Sequence, residues 1–358
     1  MPNAACPPKK PCKSFARPYF QRPKKTGQKL LGSTSFTPME VKKAYGFPDD
    51  LTGEGVTIGF IELGGGFNQR DLDRYFKRRG IIAPIVKFVG LNGARNTTGT
   101  DDDIEVRLDL TVAIGVAPRH KPVVYKAPNT PQGFINALDK AIADKVDIIS
   151  ISWGAPEPVW PAGSMDRSLV AANDAGINVY VASGDSGSGE SELGSHTDYP
   201  AASPYVVSCG ATSLITIDGV RSHEVVWNDG SGGASGGGLS LYHPRPPFQP
   251  TSVGVKRSVP DVAAVGDPNT GWLIPDGAGT MVVGGTSAVA PFFAALNALL
   301  NQKVGGRSQY LTPQFYKNPK MFNDISQGHN GAYVAQKGID QCTGLGSPIG
   351  SAYLSLLK

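Results

Sequence analysis

The stretch Gly284-Gly285-Thr286-Ser287-Ala288-Val289-Ala290-Pro291, continued by Phe292, Phe293, Ala295, Leu296, Leu299 and Leu300, decides the fold. Its apolar residues recur at helical spacing, which predicts a helix packed inside the protein. The two glycines supply a tight turn into it. Pro291 is compatible with a helix only in the first turn, where a missing N–H costs little. Ser287 then stands where free backbone N–H groups and the positive helix end favour developing negative charge. That position suits an acyl-transfer nucleophile. It equally suits a serine that merely caps a core helix, and this octapeptide leaves both readings open.

Working outward, segments 56–63, 123–126, 147–153 and 178–182 read as buried strands. Helical patterns near 69–79, 131–144 and 165–175 separate them. Strands alternating with helices predict an α/β fold, a doubly wound and mainly parallel sheet with helices on both faces. Segment 215–226, with Asp218-Gly219 at its turn, reads as a surface hairpin. Gly230 to Gly238 resembles a linker by composition but reads here as a close-approach loop beside the substrate cleft.

A serine nucleophile needs a proton acceptor. The five histidines (His120, His196, His223, His243 and His329) all lie in polar or proline-flanked contexts, so a histidine-centred triad is poorly supported. The run from Asp101 to Ile114 offers carboxylates instead. Its acidic start suits a helix N-terminus, and Glu105 and Asp109 project from one helical face, one turn apart. A solvated acidic face is the bland reading of that pair. Asp185, in Ser183-Gly184-Asp185-Ser186-Gly187, follows a strand at the sheet edge where α/β proteins bind ligands. An aspartate in such a turn also serves simply to form the turn.

Taken together these motifs resemble the sedolisins, the serine-carboxyl peptidases, and particularly their kumamolisin-like branch. The likeness runs from about Phe36 to the C-terminus. It implies a subtilisin-like version of the fold and an acid-acting endopeptidase. Ser287 would be the nucleophile, Glu105 and Asp109 the proton relay, and Asp185 a protonated oxyanion donor, with Glu62 and Trp153 in support. A base that is ionised beside a donor that is protonated implies an acidic, bell-shaped pH profile, centred roughly between pH 3 and 5. Ser152 and Gly154, flanking Trp153, would bind an extended polypeptide substrate by strand addition. The likeness also implies one structural Ca²⁺, held by the Asp324 and Asp340 carboxylates and the carbonyls of Ile325, Gln336 and Gly338. Hard oxygen donors of that kind suit calcium. Tripeptidyl-peptidase action on the same site, a non-catalytic peptide-binding relative and a histidine-using enzyme are the alternatives.

Residues 1–32 hold eight of the 34 Lys and Arg, six prolines and no acid, leaving 26 basic against 30 acidic residues in 33–358. The tail is expected to be disordered or extended and solvated, and 33–358 to form the catalytic domain. The basic tail could contact an acidic surface or nucleic acid, but a solvated leader is the expectation, so no nucleic-acid partner is expected; nor is a membrane partner, since no apolar run reaches the ~20 residues that span a bilayer. A monomer is expected. The tail lacks the apolar core of a signal peptide, so an extracellular location rests on the resemblance alone. Of four cysteines, Cys6 and Cys12 could close a small loop, and Cys209 and Cys342 could pair.

Overall fold

The computed structural model of the protein describes residues 15–23, 35–189 and 195–356. Seven strands form the main path of the central sheet: β1 (Thr57–Glu62), β2 (Lys87–Gly90), β3 (Lys121–Lys126), β4 (Ile148–Ile151), β5 (Asn178–Ala182), β6 (Val207–Ile217) and β7 (Val220–Val226). Their spatial order is β7-β6-β5-β4-β1-β3-β2, and an eighth strand, β8 (Val262–Val265), pairs with β6. Every pairing is parallel except β6 with β7. The predicted hairpin therefore extends the main sheet: Asp218 and Gly219 turn it with φ of 53° and 74°, and its inner half is buried.

Helices cover both faces, as the alternation predicted. α1 (Gln69–Lys77), α2 (Asp103–Val116) and α5 (Val289–Val304) share one hydrophobic cluster. α3 (Pro131–Ala143) and α4 (Asp166–Asp174) share the other. α2 and α5 touch along their length, and both bury nearly every residue they contain. This explains why neither shows a polar stripe: helices apolar all round belong inside the molecule. Glu105 and Asp109 on α2 are therefore not on a solvated face; both are completely buried.

The sheet switches direction between β1 and β4, because the chain leaves β1 toward β2 and β3 and later continues outward from β4. Ligands bind at such a crevice, beyond the C-terminal strand ends. Glu62 ends β1, Ser152 follows β4, and Asp185 lies three residues past β5. Cys209 and Cys342 are both buried free thiols and do not pair. Cys6 and Cys12 lie outside the described residues.

Candidate active site

Ser287 sits in a 3₁₀ turn, Thr286–Ala288, that leads directly into α5. Gly285 precedes it with φ of 110°, and a Cβ there would collide with the Tyr19 carbonyl oxygen and Asp185 Oδ2. Pro291 falls in the first turn of α5, as its ring requires. Across the interface, Ser287 Oγ donates to Glu105 Oε2 at 2.9 Å. One turn along α2, Asp109 accepts from Ser152 Oγ at 2.8 Å and hydrogen-bonds to Glu105. Glu62 accepts from the Trp153 indole N–H at 2.8 Å. No described histidine bonds to Ser287.

Three carboxyls are thus buried together, with no cation among the described residues directly bonded to them. Burial first, then repulsion from Asp109, lifts Glu62 and Glu105 well above the ordinary carboxyl range. Asp109 rises to about 8 through burial, against the stabilising bonds from Ser152 and Glu105. Such a group shares protons and titrates as a unit. Asp185 stands on the other side of Ser287. Its Oδ1 accepts from the Thr286 N–H at 2.8 Å and from the Thr286 hydroxyl at 2.9 Å, while its buried Oδ2 has no partner. Burial raises Asp185 to about 8 against those two bonds. The glycine-rich 230–238 loop braces this turn: Ala234 N–H donates to Asp185 O at 3.1 Å and Gly236 N–H to Gly184 O at 2.7 Å.

What crosses the site is the chain's own N-terminal segment. Arg17 and Pro18 pair antiparallel with Gly154 and Trp153. Tyr19 N–H donates to Ser152 O at 3.1 Å, and the Tyr19 carbonyl accepts from Ser287 N–H at 3.0 Å. Gln21 then bridges Gly284 through two backbone bonds of 2.8 Å. The expected solvated tail is corrected here: the described part is extended, but Ala16 and Tyr19 are only 1% exposed. The strand pairing at Trp153 and Gly154 and the bond to Ser152 O are made here by the chain's own segment. The Tyr19 ring runs into a pocket where its hydroxyl donates to Asp198 Oδ2 at 2.7 Å.

Sequence reasoning missed Asp198 and Tyr19. Asp198 stands in an unremarkable His-Thr-Asp-Tyr-Pro run, and only folding brings it to Tyr19, 179 positions away. The Trp160 ring meets Phe15 with centroids 4.5 Å apart.

At the C-terminus, Asp324 accepts from Gly338 N–H at 2.9 Å and Asp340 from Gln336 N–H at 3.1 Å. Two carboxylates thus converge on one short loop, with the Ile325 carbonyl linked to the same turn through Thr343. The donors are all oxygen, which fits a hard cation. Among the described residues no group of three or more His, Cys, Asp or Glu gathers that could hold a metal ion.

A profile of the subtilase family matches residues 91–321. The sequence is 45% identical to kumamolisin of Bacillus sp. (strain MN-32), over 96% of this chain and 68% of that protein. It is 26% identical to tripeptidyl-peptidase 1 of Homo sapiens, over 90% of this chain and 64% of that protein. Among solved structures, Pseudomonas sedolisin, a serine-carboxyl proteinase complexed with two molecules of pseudo-iodotyrostatin, superimposes with a TM-score of 0.84. That match has 27% identity and covers 91% of this chain and 98% of the other.

Proposed function

The chain belongs to the subtilase family and, within it, to the kumamolisin-like sedolisins, and from that premise we propose that it is an acid-acting serine-carboxyl endopeptidase with Ser287 as its nucleophile. Members of this family are serine peptidases acting on polypeptides. The observation that carries the finer reading is the 2.9 Å bond from Ser287 Oγ to Glu105, on a serine whose own N–H holds a peptide carbonyl at 3.0 Å.

In the proposed reaction, ionised Glu105 takes the Ser287 hydroxyl proton as Oγ attacks the scissile carbonyl carbon. The oxyanion is met by Ser287 N–H and by the Asp185 carboxylic acid, whose unpaired Oδ2 lies beside the Tyr19 carbonyl at the bare face of Gly285. Glu105 returns its proton to the departing amine, leaving an acyl-enzyme. Water then attacks, giving its proton to Glu105, and Ser287 is released. Asp109 orients Glu105 and shares its proton, and Ser152 in turn holds Asp109.

Burial is the largest cause of each upward shift, and the N-terminal segment contributes to that burial. When it leaves and water enters, the carboxyls return toward their ordinary range near ~4. This supports action in acid. An open path for residues before Arg17 favours endopeptidase over tripeptidyl action, since nothing in the described cleft captures an amino terminus at that position.

Asp324 and Asp340, with the carbonyls of Ile325, Gln336 and Gly338, would hold one Ca²⁺. The ion would close the C-terminal loop and supply no chemistry to the reaction. Removing calcium with a chelator is expected to lower the melting temperature by several degrees, and added Ca²⁺ to restore it. Among the described residues no helix is long and apolar enough to cross a membrane. Extracellular action is part of the proposal.

The test is cleavage of a denatured protein from pH 2 to 8 by the chain and by Glu105→Gln. Acid-confined activity that Glu105→Gln abolishes is expected. Activity at neutral pH that survives the substitution would overturn the mechanism.

A further inference from the structure

The N-terminal segment shows more of the cleft than the reacting atoms. Counting back from Tyr19, whose carbonyl meets Ser287, the chain passes Pro18, Arg17, Ala16 and Phe15. Ala16 lies one position beyond the strand pairing with Gly154, yet its backbone remains fully engaged. Its N–H donates to Asn129 Oδ1 at 2.8 Å, and its carbonyl accepts from Asn129 Nδ2 at 2.8 Å. A carboxamide holds one donor and one acceptor on one face, so Asn129 pairs with a main chain as a rung of sheet would, whatever the side chain. Asn129 is held in place by its neighbours: Thr130 N–H donates to the Pro128 carbonyl, and the Thr130 hydroxyl caps α3 at Gly133.

Beyond it, the Phe15 ring meets Trp160 at 4.5 Å and 76°, the edge-to-face arrangement that aromatic pairs favour. Trp160 is backed by Phe134 and Tyr199, so it presents a rigid wall.

Resting on the reading of Ser287 above, we propose that Asn129 and Trp160 form two distal substrate subsites. Asn129 binds the main chain of the fourth residue before the scissile bond, and Trp160 an aromatic or large apolar side chain at the fifth. The substrates are therefore polypeptides that continue at least five residues N-terminal to the cut. A chain whose amino terminus lies three residues before the cut leaves both subsites empty.

The experiment uses the full chain and an acetylated octapeptide copying residues 15–22, with kcat and KM measured in acid. Three analogues accompany it: an ester in place of the amide N–H at alanine, alanine in place of phenylalanine at the first position, and a peptide beginning at arginine. Asn129→Ala and Ser287→Ala are also read in cis from the rate at which the chain cuts its own Tyr19–Phe20 bond, by mass spectrometry.

For the unsubstituted chain the ester is expected to lose about tenfold in kcat/KM, mainly through KM. In Asn129→Ala the parent peptide loses the same factor, the ester loses nothing further, and the pH profile is unchanged. The phenylalanine-to-alanine peptide is expected to lose about fivefold. Trp160 itself is left intact because it also supports Tyr199 and Phe134. Equal cleavage of ester and amide, an ester penalty that persists in Asn129→Ala, or full activity on the peptide beginning at arginine would overturn the proposal. Those outcomes leave Ser287 as nucleophile untouched. Absence of any cleavage in trans or in cis, or cleavage that survives Ser287→Ala, sinks the underlying reading and this proposal with it.

Discussion

Two groups of carboxyls, one fully buried and one buried or half-buried, differ in whether a cation is bonded to them. Under Ser287, Glu62, Glu105 and Asp109 are packed together with no basic side chain among the described residues bonded to them, and burial drives all three upward. Behind the pocket that receives Tyr19, Glu157 and Asp166 flank His243. Its Nε2 bonds Asp166 at 2.8 Å, and its Nδ1 lies 3.5 Å from Glu157. Burial pushes those two carboxyls up as well, but bonds from His243, with Ser240, Thr197 and Ser203, outweigh it and hold both below their ordinary range. His243 rises to about 9, because its bonds to Asp166 and Glu157 overcome burial. The paired group is a clamp: Glu157 and Asp166 also hold Thr197 and Tyr199, on either side of Asp198. The unpaired group keeps protons that can move. Chemistry sits where the charges are left uncompensated.

The largest expected effect comes from breaking the unpaired group. Ser287→Ala or Glu105→Gln should lower kcat by about 10⁴-fold or more, and the double variant by little beyond either alone, because the two act as a unit. Additive losses in single-turnover assays would separate them. Next, Asp185→Asn should cost about 10²- to 10³-fold, the usual effect of losing one oxyanion donor. A carboxamide donates at every pH. The remaining activity should therefore no longer fall as pH rises past the Asp185 ionisation, and a variant that keeps the alkaline limb would exclude Asp185 as its origin.

Breaking the paired group should affect stability rather than turnover. A histidine raised from 6.5 to about 9 contributes stability that is complete below pH 6.5 and lost as pH rises to about 9. By linkage this is roughly 3 kcal/mol. His243→Gln should lower the melting temperature at pH 5 and abolish the decline between pH 6.5 and 9; equal slopes in both proteins would show that the clamp is not ionic. His120 gives the opposite sign. It is fully buried with Nε2 unpartnered, and burial lowers it to about 4 despite its bond to the Ala117 carbonyl. The folded state binds its proton less readily than the unfolded one, so stability should fall between pH 6.5 and 4, by up to about 3 kcal/mol. Thermal scans of His120→Gln in acid should show a shallower decline.

The motifs around Ser287, Glu105, Asp185, Glu62 and Trp153 were legible because each is a local solution to a local problem. A glycine turn must open α5, an E-x-x-x-D pair must share one helical face, and a strand must end in a turn. The bland reading of Glu105 and Asp109 as a solvated face failed for a reason visible in composition: Ile104, Val106, Leu108 and Leu110 leave α2 no polar side to expose. Asp198, Asn129 and the course of the N-terminal segment were not legible. Their partners lie more than a hundred positions away, and a basic, proline-rich tail carries the composition of disorder even where it adds a strand to the cleft.

The sequence by itself determined which elements form, the alternation that dictates a doubly wound sheet, and the short motifs that carry chemistry, because propensity, periodicity and turn geometry act over a few residues. Only the tertiary structure decided which carboxyls meet a cation and which do not. It also decided that residues 15–21 lie in the chain's own cleft. Both depend on contacts between distant segments and on the removal of water from them, and neither has a local signature.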